Sequence, residues 1–187
     1  MTDAGAPDRD YELVARTATG DQVAFEELVS RHERAVLNTI HRYVGEYDAA
    51  DDIAQEVFVI LWRKAGSFKG NARFSTWLYR VVVNQCLQFR RKRRARPGTV
   101  SLDSMDGDNP PESLQVAEDH EKRRRAEAVR SALAQLPDRQ RIALVLAHYE
   151  GHTYQEVAEM MQTSVSSVES LIFRAKCSLR EKLIDQI

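Results

Sequence analysis

Between residues 97 and 111 stand Pro97, Gly98, Gly107, Pro110 and Pro111, with acids and serines among them and little apolar periodicity. No other feature constrains the fold as much, because a regular helix cannot run through such a segment and the apolar residues on either side must bury themselves separately. On both sides the apolar spacing is helical, and no segment alternates with the period of two that a half-buried strand needs. The chain therefore reads as all-α. Two small helical domains, 1–96 and 122–187, are expected on either side of a flexible acidic linker, 97–121.

Within the first half, Asp21 is placed to cap a helix whose apolar side is Phe25, Leu28, Val29, Val36, Leu37, Ile40 and Tyr43, with Gly45 as its stop. A second helix over about 49–65 is expected to bury Ile53, Val57, Ile60 and Leu61, and a third over about 75–94 to bury Leu78, Val82 and Phe89. Residues 11–19 suggest a short leading helix. The second half opens with a helix from about Glu118, apolar at Ala126, Val129, Leu133 and Leu136, which Pro137 interrupts or ends. Another spans Asp138 to Tyr149. Thr153 and Glu156 then have the spacing of a capping box, in which hydroxyl and carboxylate each satisfy an orphan backbone N–H. A short helix, a polar turn at Gln162, Thr163 and Ser164, and a longer helix from Val165 to about Leu183 make a helix-turn-helix pattern, with Val168, Leu171, Ile172, Ala175 and Leu179 as the last helix's apolar side.

A net charge of -1 would ordinarily argue against nucleic acid, but the sum hides segregated blocks. Residues 1–56 carry 13 acids against 5 Lys/Arg, and 97–121 carry 7 acids and no Lys/Arg. From Val57 to Leu102 there is no acid at all and there are 11 cations. Ordinary solvated surfaces intersperse both signs, so this block implies an anionic partner. On the third helix Arg80, Asn84, Gln88 and Arg91 stack along one side, a cation-amide-amide-cation face suited to phosphates and base edges. Just before it Phe68, Phe74, Trp77 and Tyr79 interleave with Lys69, Arg73 and Arg80, the mixture that single-strand binding uses. Phe74 and Trp77 fit a core role equally well; Phe68, flanked by Gly66 and Gly70, is expected to be exposed.

Asp51, Asp52 and Glu56 admit three readings. Acids favour a helix N-terminus through its dipole; carboxylates can serve a metal-dependent nuclease; an acidic face can dock on a basic partner. The five histidines are scattered, and Cys86 and Cys177 form no ligand or disulfide pattern, so neither a metal nor another cofactor is expected. No run approaches the roughly 18 apolar residues of a bilayer crossing, and residues 1–21 lack a signal-like apolar segment, which points to the cytoplasm.

In four segments the chain resembles bacterial RNA polymerase sigma factors of the extracytoplasmic-function (ECF) group. Residues 50–58, Ala-Asp-Asp-Ile-Ala-Gln-Glu-Val-Phe, ending at Leu61-Trp62, are similar to the segment that docks on core polymerase, which implies that role for Asp51, Asp52, Gln55 and Glu56. Residues 74–80, Phe-Ser-Thr-Trp-Leu-Tyr-Arg, with Val83-Asn84, resemble the segment that melts and reads the minus-ten element. That assigns Phe68, Lys69, Arg73, Trp77, Tyr79, Arg80, Asn84, Gln88 and Arg91 to promoter DNA, with Phe68 and Asn84 where the family captures a flipped base. Residues 136–141 and 154–158, and then Val168 to Ala175, resemble the helix-turn-helix that reads the minus-thirty-five element. This implies contacts from Ser166, Ser167, Glu169, Ser170, Phe173, Arg174 and Lys176.

The resemblance implies a sigma factor, not an enzyme, that directs promoter-specific initiation in a stress or envelope response. Its partners would be core polymerase, promoter DNA and an anti-sigma factor, and its acidic linker would thread a polymerase channel. Glu169 and Leu171 depart from the family, standing where many members have Lys or Arg, and so offer fewer phosphate contacts. The rival reading is a stand-alone helix-turn-helix regulator, which would be dimeric on a palindromic operator.

Overall fold

The computed structural model describes residues 9–95 and 116–184, which form α-helices, turns and loops with no strand among them. In the first half α1 (Arg9–Ala18), α2 (Gln22–Val44), α3 (Tyr47–Lys64) and α4 (Phe74–Ala95) follow one another. Asp21 caps α2 as expected, its carboxylate accepting the Ala24 N–H at 3.1 Å. Gly45 ends it at φ +87, donating its N–H to the His41 carbonyl at 2.8 Å, a left-handed geometry that only glycine adopts without strain. A single 3-10 turn, Ala65–Ser67, closes α3. Leu28, Val36, Ile40 and Tyr43 of α2 are buried against Val57 and Leu61 of α3 and Phe74, Leu78, Val82 and Cys86 of α4. Ile60 and Phe89 are only half-buried, nearer the rim of this core than their spacing implied.

The second half contains α5 (Val116–Ala134), α6 (Asp138–Leu144), α7 (Tyr154–Met160) and α8 (Val165–Ile184). Pro137 marks a true boundary, since α5 ends before it and α6 begins just after it. α6 continues as a wider π turn over Val145–Tyr149. The capping box at α7 is complete: Thr153 Oγ1 accepts the Glu156 N–H at 3.3 Å, and the Glu156 carboxylate accepts the Thr153 N–H at 2.9 Å. Burial pushes the Glu156 carboxyl up, but the hydrogen bonds from Thr153 prevail and hold it below its usual range. Leu133, Leu136, Ile142, Leu146, Val157, Met160, Val168 and Ile172 form the core, whereas Ala126, expected to be apolar-facing, is exposed. The acidic linker lies outside the described residues as far as 115.

The halves touch. α4 packs on α6 and α7, and α2 packs on the π turn and α5. Arg141 of α6 lies within this junction, 1% exposed, donating to the carbonyls of Tyr43 at 2.9 Å and of Ala134 and Leu136. Burial pushes its pKa down to about 10.

Candidate nucleic-acid and protein interfaces

α4 is long enough to bury one side in the first core and present another to solvent. Asn84, Gln88 and Arg91 are exposed along the side that the spacing predicted, with Arg80 half-buried at its start. Lys69 and Arg73 are exposed in the loop before α4. The aromatic residues are arranged differently from the sequence reading. Phe74 is core. Trp77 is half-buried, stacked on Phe74 with centroids 6.0 Å apart. Phe68 is also half-buried, contrary to expectation, because three rings surround it: Tyr11 at 6.0 Å, Phe74 at 5.8 Å and Trp77 at 6.0 Å. Gly70 makes this possible. At φ +70 it turns the loop under Tyr11, whose Cε2 would lie 2.5 Å from any added Cβ. Gly70 thus lets the loop fold Phe68 inward.

Tyr79 is the clearest correction. It is 5% exposed, with its ring edge-on to His152 at 4.9 Å and its hydroxyl 3.5 Å from Thr39 Oγ1. Its neighbours by helical spacing are Val83, Cys86 and Arg90, the side of α4 that meets the second half, so in this arrangement its ring is withheld from solvent. Burial pushes its phenol pKa up.

On α3, Asp51, Asp52, Gln55 and Glu56 are all exposed. The helix starts at Tyr47, so Asp51 and Asp52 fall in its second turn, while Asp48 occupies the first. A dipole effect fades within the first turn, which weakens that explanation of the acids. Val59 and Trp62 extend the same exposed side, each about two-fifths exposed, with Trp62 packed edge-on to Phe25 at 5.1 Å. An acidic face running into an apolar one suits a protein partner better than solvent. Trp62 stood in the quoted segment, and Val59 lies three residues beyond Glu56, so helical spacing from the acids would have found both. As for the nuclease reading, no group of three or more His, Cys, Asp or Glu placed to hold a metal occurs among the described residues.

The helix-turn-helix presents α8 outward. Ser164 accepts the Ser167 N–H at 3.2 Å and so caps the helix, holding its hydroxyl 3.1 Å from that of Ser166. Ser166, Glu169, Ser170, Phe173, Arg174 and Lys176 are exposed and Ser167 is half-buried. Phe173 is 69% exposed, a large apolar ring on an otherwise polar surface. Leu171 is 8% exposed and packs inward, so it is not a lost phosphate contact; among the departures noted, only Glu169 stands on the open face.

These features define a class: an all-α protein of two halves, with a cation-amide helix in one and an outward-facing helix-turn-helix in the other. The model of Sigma-70 region 2 matches residues 28–96, and that of Sigma-70, region 4 matches residues 126–179. The RNA polymerase sigma-H factor of Pseudomonas aeruginosa is 35% identical over 182 residues, covering 94% of each chain. The ECF RNA polymerase sigma-E factor of Escherichia coli K12 is 32% identical over 185 residues, 93% of this chain and 94% of that one. Among solved structures, CnrH in complex with the cytosolic domain of CnrY superposes with TM-score 0.69 at 28% identity, over 96% of this chain and 99% of that one. The sigma factor RpoE of Bartonella quintana, solved with the anti-sigma factor NepR, shares the fold at TM-score 0.66 and 21% identity, over 85% of this chain and 96% of its own. The chain belongs to the sigma-70 family and is a sigma factor of the ECF type, acting in transcription initiation. The stand-alone regulator is set aside, since relatives aligned along nearly the whole chain are sigma factors.

Proposed function

We propose that this sigma factor binds core RNA polymerase through the acidic and apolar face of α3, opens and reads the minus-ten element with α4 and its preceding loop, and anchors on the minus-thirty-five element with α8. Residues 1–96 and 122–187 are then the two working domains and 97–121 the linker. Asp51, Asp52, Gln55 and Glu56 meet a basic surface of polymerase. Lys69, Arg73, Arg80 and Arg91 neutralise phosphates, while Asn84 and Gln88 pair with base edges. Phe68 and Trp77 offer ring edges to an unstacked base. On α8, Arg174 and Lys176 hold phosphates, Ser166, Ser167 and Ser170 donate to the DNA, Glu169 accepts from a cytosine amino group, and Phe173 meets a thymine methyl.

The protein acts by binding rather than catalysis, in the cytoplasm, and its regulation runs through an anti-sigma factor in a stress or envelope response. The Bartonella quintana RpoE, solved with the anti-sigma factor NepR, supports that reading. The observation that carries the proposal is the division of charge by surface, with acids outward on α3 and no acid from Val57 to Leu102, where α4 lies. Two variants test it with purified core polymerase. Asp52→Ala/Glu56→Ala is expected to weaken core association about tenfold, as loss of two complementary charges would. Asn84→Ala is expected to leave core association intact while impairing promoter opening. Unchanged association in the first, or equal loss of both activities in the second, contradicts the assignments.

A further inference from the structure

Beside the loop that carries Phe68 stands an aromatic ring to which no role has been assigned. Tyr11, on α1, is 53% exposed, with its ring centre 6.0 Å from that of Phe68 and its plane tilted 58° to it. The loop backbone runs beneath this ring, since Gly70 at φ +70 lacks the Cβ that would collide with Cε2 of Tyr11. Asp10, one residue earlier, fixes where α1 begins. Its carboxylate, 15% exposed, accepts from Arg31 at 3.0 Å and lies 2.8 Å from Nε2 of His32, both on α2. His32 is edge-on to Phe74 at 5.3 Å, and Phe74 is edge-on to Phe68 at 5.8 Å, so a run of contacts leads from Asp10 through the core and back to Tyr11. Packing accounts for the covered part of the ring. The open part stands over a loop that contains no acid and exposes Lys69 and Arg73. Two acids flank Tyr11 in sequence, but Asp10 is committed to Arg31 and His32, and Glu12 is turned about 100° around the helix.

We propose that Tyr11 is a wall of the minus-ten site: its open face stacks on an unstacked base of the strand held by the Phe68 loop, and Asp10 is a positioning residue that keeps α1, and so the ring, against that loop. The proposal rests on the assignment of the Phe68 loop to minus-ten DNA. A tyrosine suits the place because its ring offers a flat apolar face and its hydroxyl tolerates water. Every base has a π-face, so the contact adds affinity without demanding one sequence, while Lys69 and Arg73 neutralise the phosphates on either side. A base stacked within a duplex has no free face to give. Tyr11 therefore acts after strand separation, holding the open state rather than recognising the closed one.

The test uses the full chain assembled with core polymerase, on a promoter fragment recovered by run-off transcription from genomic DNA and prepared with a noncomplementary bubble across the minus-ten element. Affinity for this fragment and association with core polymerase are both measured. Tyr11→Leu still covers Gly70 but has no π-face, and it is expected to weaken binding to the bubble about tenfold, the loss of one stacked base. Tyr11→Phe keeps the face and should recover most of that loss. Asp10→Ala is expected to weaken binding less, and to add nothing in the Tyr11→Leu background, because it acts through the ring. Bubble affinity unchanged by Tyr11→Leu, or a fall matched by equal loss of core association, overturns the role of Tyr11; a further loss from Asp10→Ala in the Tyr11→Leu background overturns that of Asp10. Phe68→Ala separates this inference from the one beneath it. If Phe68→Ala weakens binding to the bubble and Tyr11→Leu does not, the loop assignment stands and the wall falls; if neither weakens it, both fall.

Discussion

Arg141 shows what a single side chain can settle. Among the described residues no carboxylate is bonded to it, yet it sits at the junction with three carbonyl acceptors. Arg141→Leu leaves those carbonyls without their donor, and a cost of about 2–3 kcal/mol is expected in urea unfolding. Arg141→Lys should recover little, because an ammonium cannot reproduce a planar fork of donors. Destabilisation below about 0.5 kcal/mol in the leucine variant would contradict the role given to this residue. The histidines set a second expectation. Burial holds His41, His148 and His152 below the ordinary imidazole value of 6.5, so below that pH the unfolded chain binds more protons than the folded one. Stability is therefore complete above about pH 6.5 and falls as the solution becomes more acidic. Urea midpoints between pH 7.5 and 5.5 should decrease, and His152→Gln should flatten that decrease; equal slopes would count against His152 as a contributor.

Among the elements, those whose partners lie close in sequence were legible. The α2 cap and stop, the capping box at α7 and the open side of α4 each follow from residues within one or two turns. Tyr79 was not legible, because what covers it, His152, comes from the other half of the chain, more than seventy residues away. Phe68 escapes the local sequence for a similar reason: two flanking glycines suggest exposure, whereas the ring of Tyr11 on α1 closes over the loop. For Leu171 family position suggests the DNA side, whereas its spacing with Val168, Ile172 and Ala175 places it in the core, where it lies. The turn before α8 carries a local conflict of its own: Gln162 has φ +51, where a side chain is strained. Gln162→Gly is expected to raise stability by about 0.5–1 kcal/mol in thermal or urea unfolding, and a loss of stability would show that the Gln side chain makes a compensating contact.

On the scale of the whole molecule, a near-neutral total conceals surfaces of opposite sign that serve different partners. A chain with net charge -1 gathers few DNA phosphates alone; attachment to polymerase raises the local concentration of DNA and aligns both reading helices. The most direct measurement is run-off transcription on genomic fragments with purified core polymerase, with and without this chain. The account predicts transcripts from new, discrete start sites that require the chain and are lost with Asp52→Ala/Glu56→Ala. Start sites identical to those of core polymerase alone would contradict it.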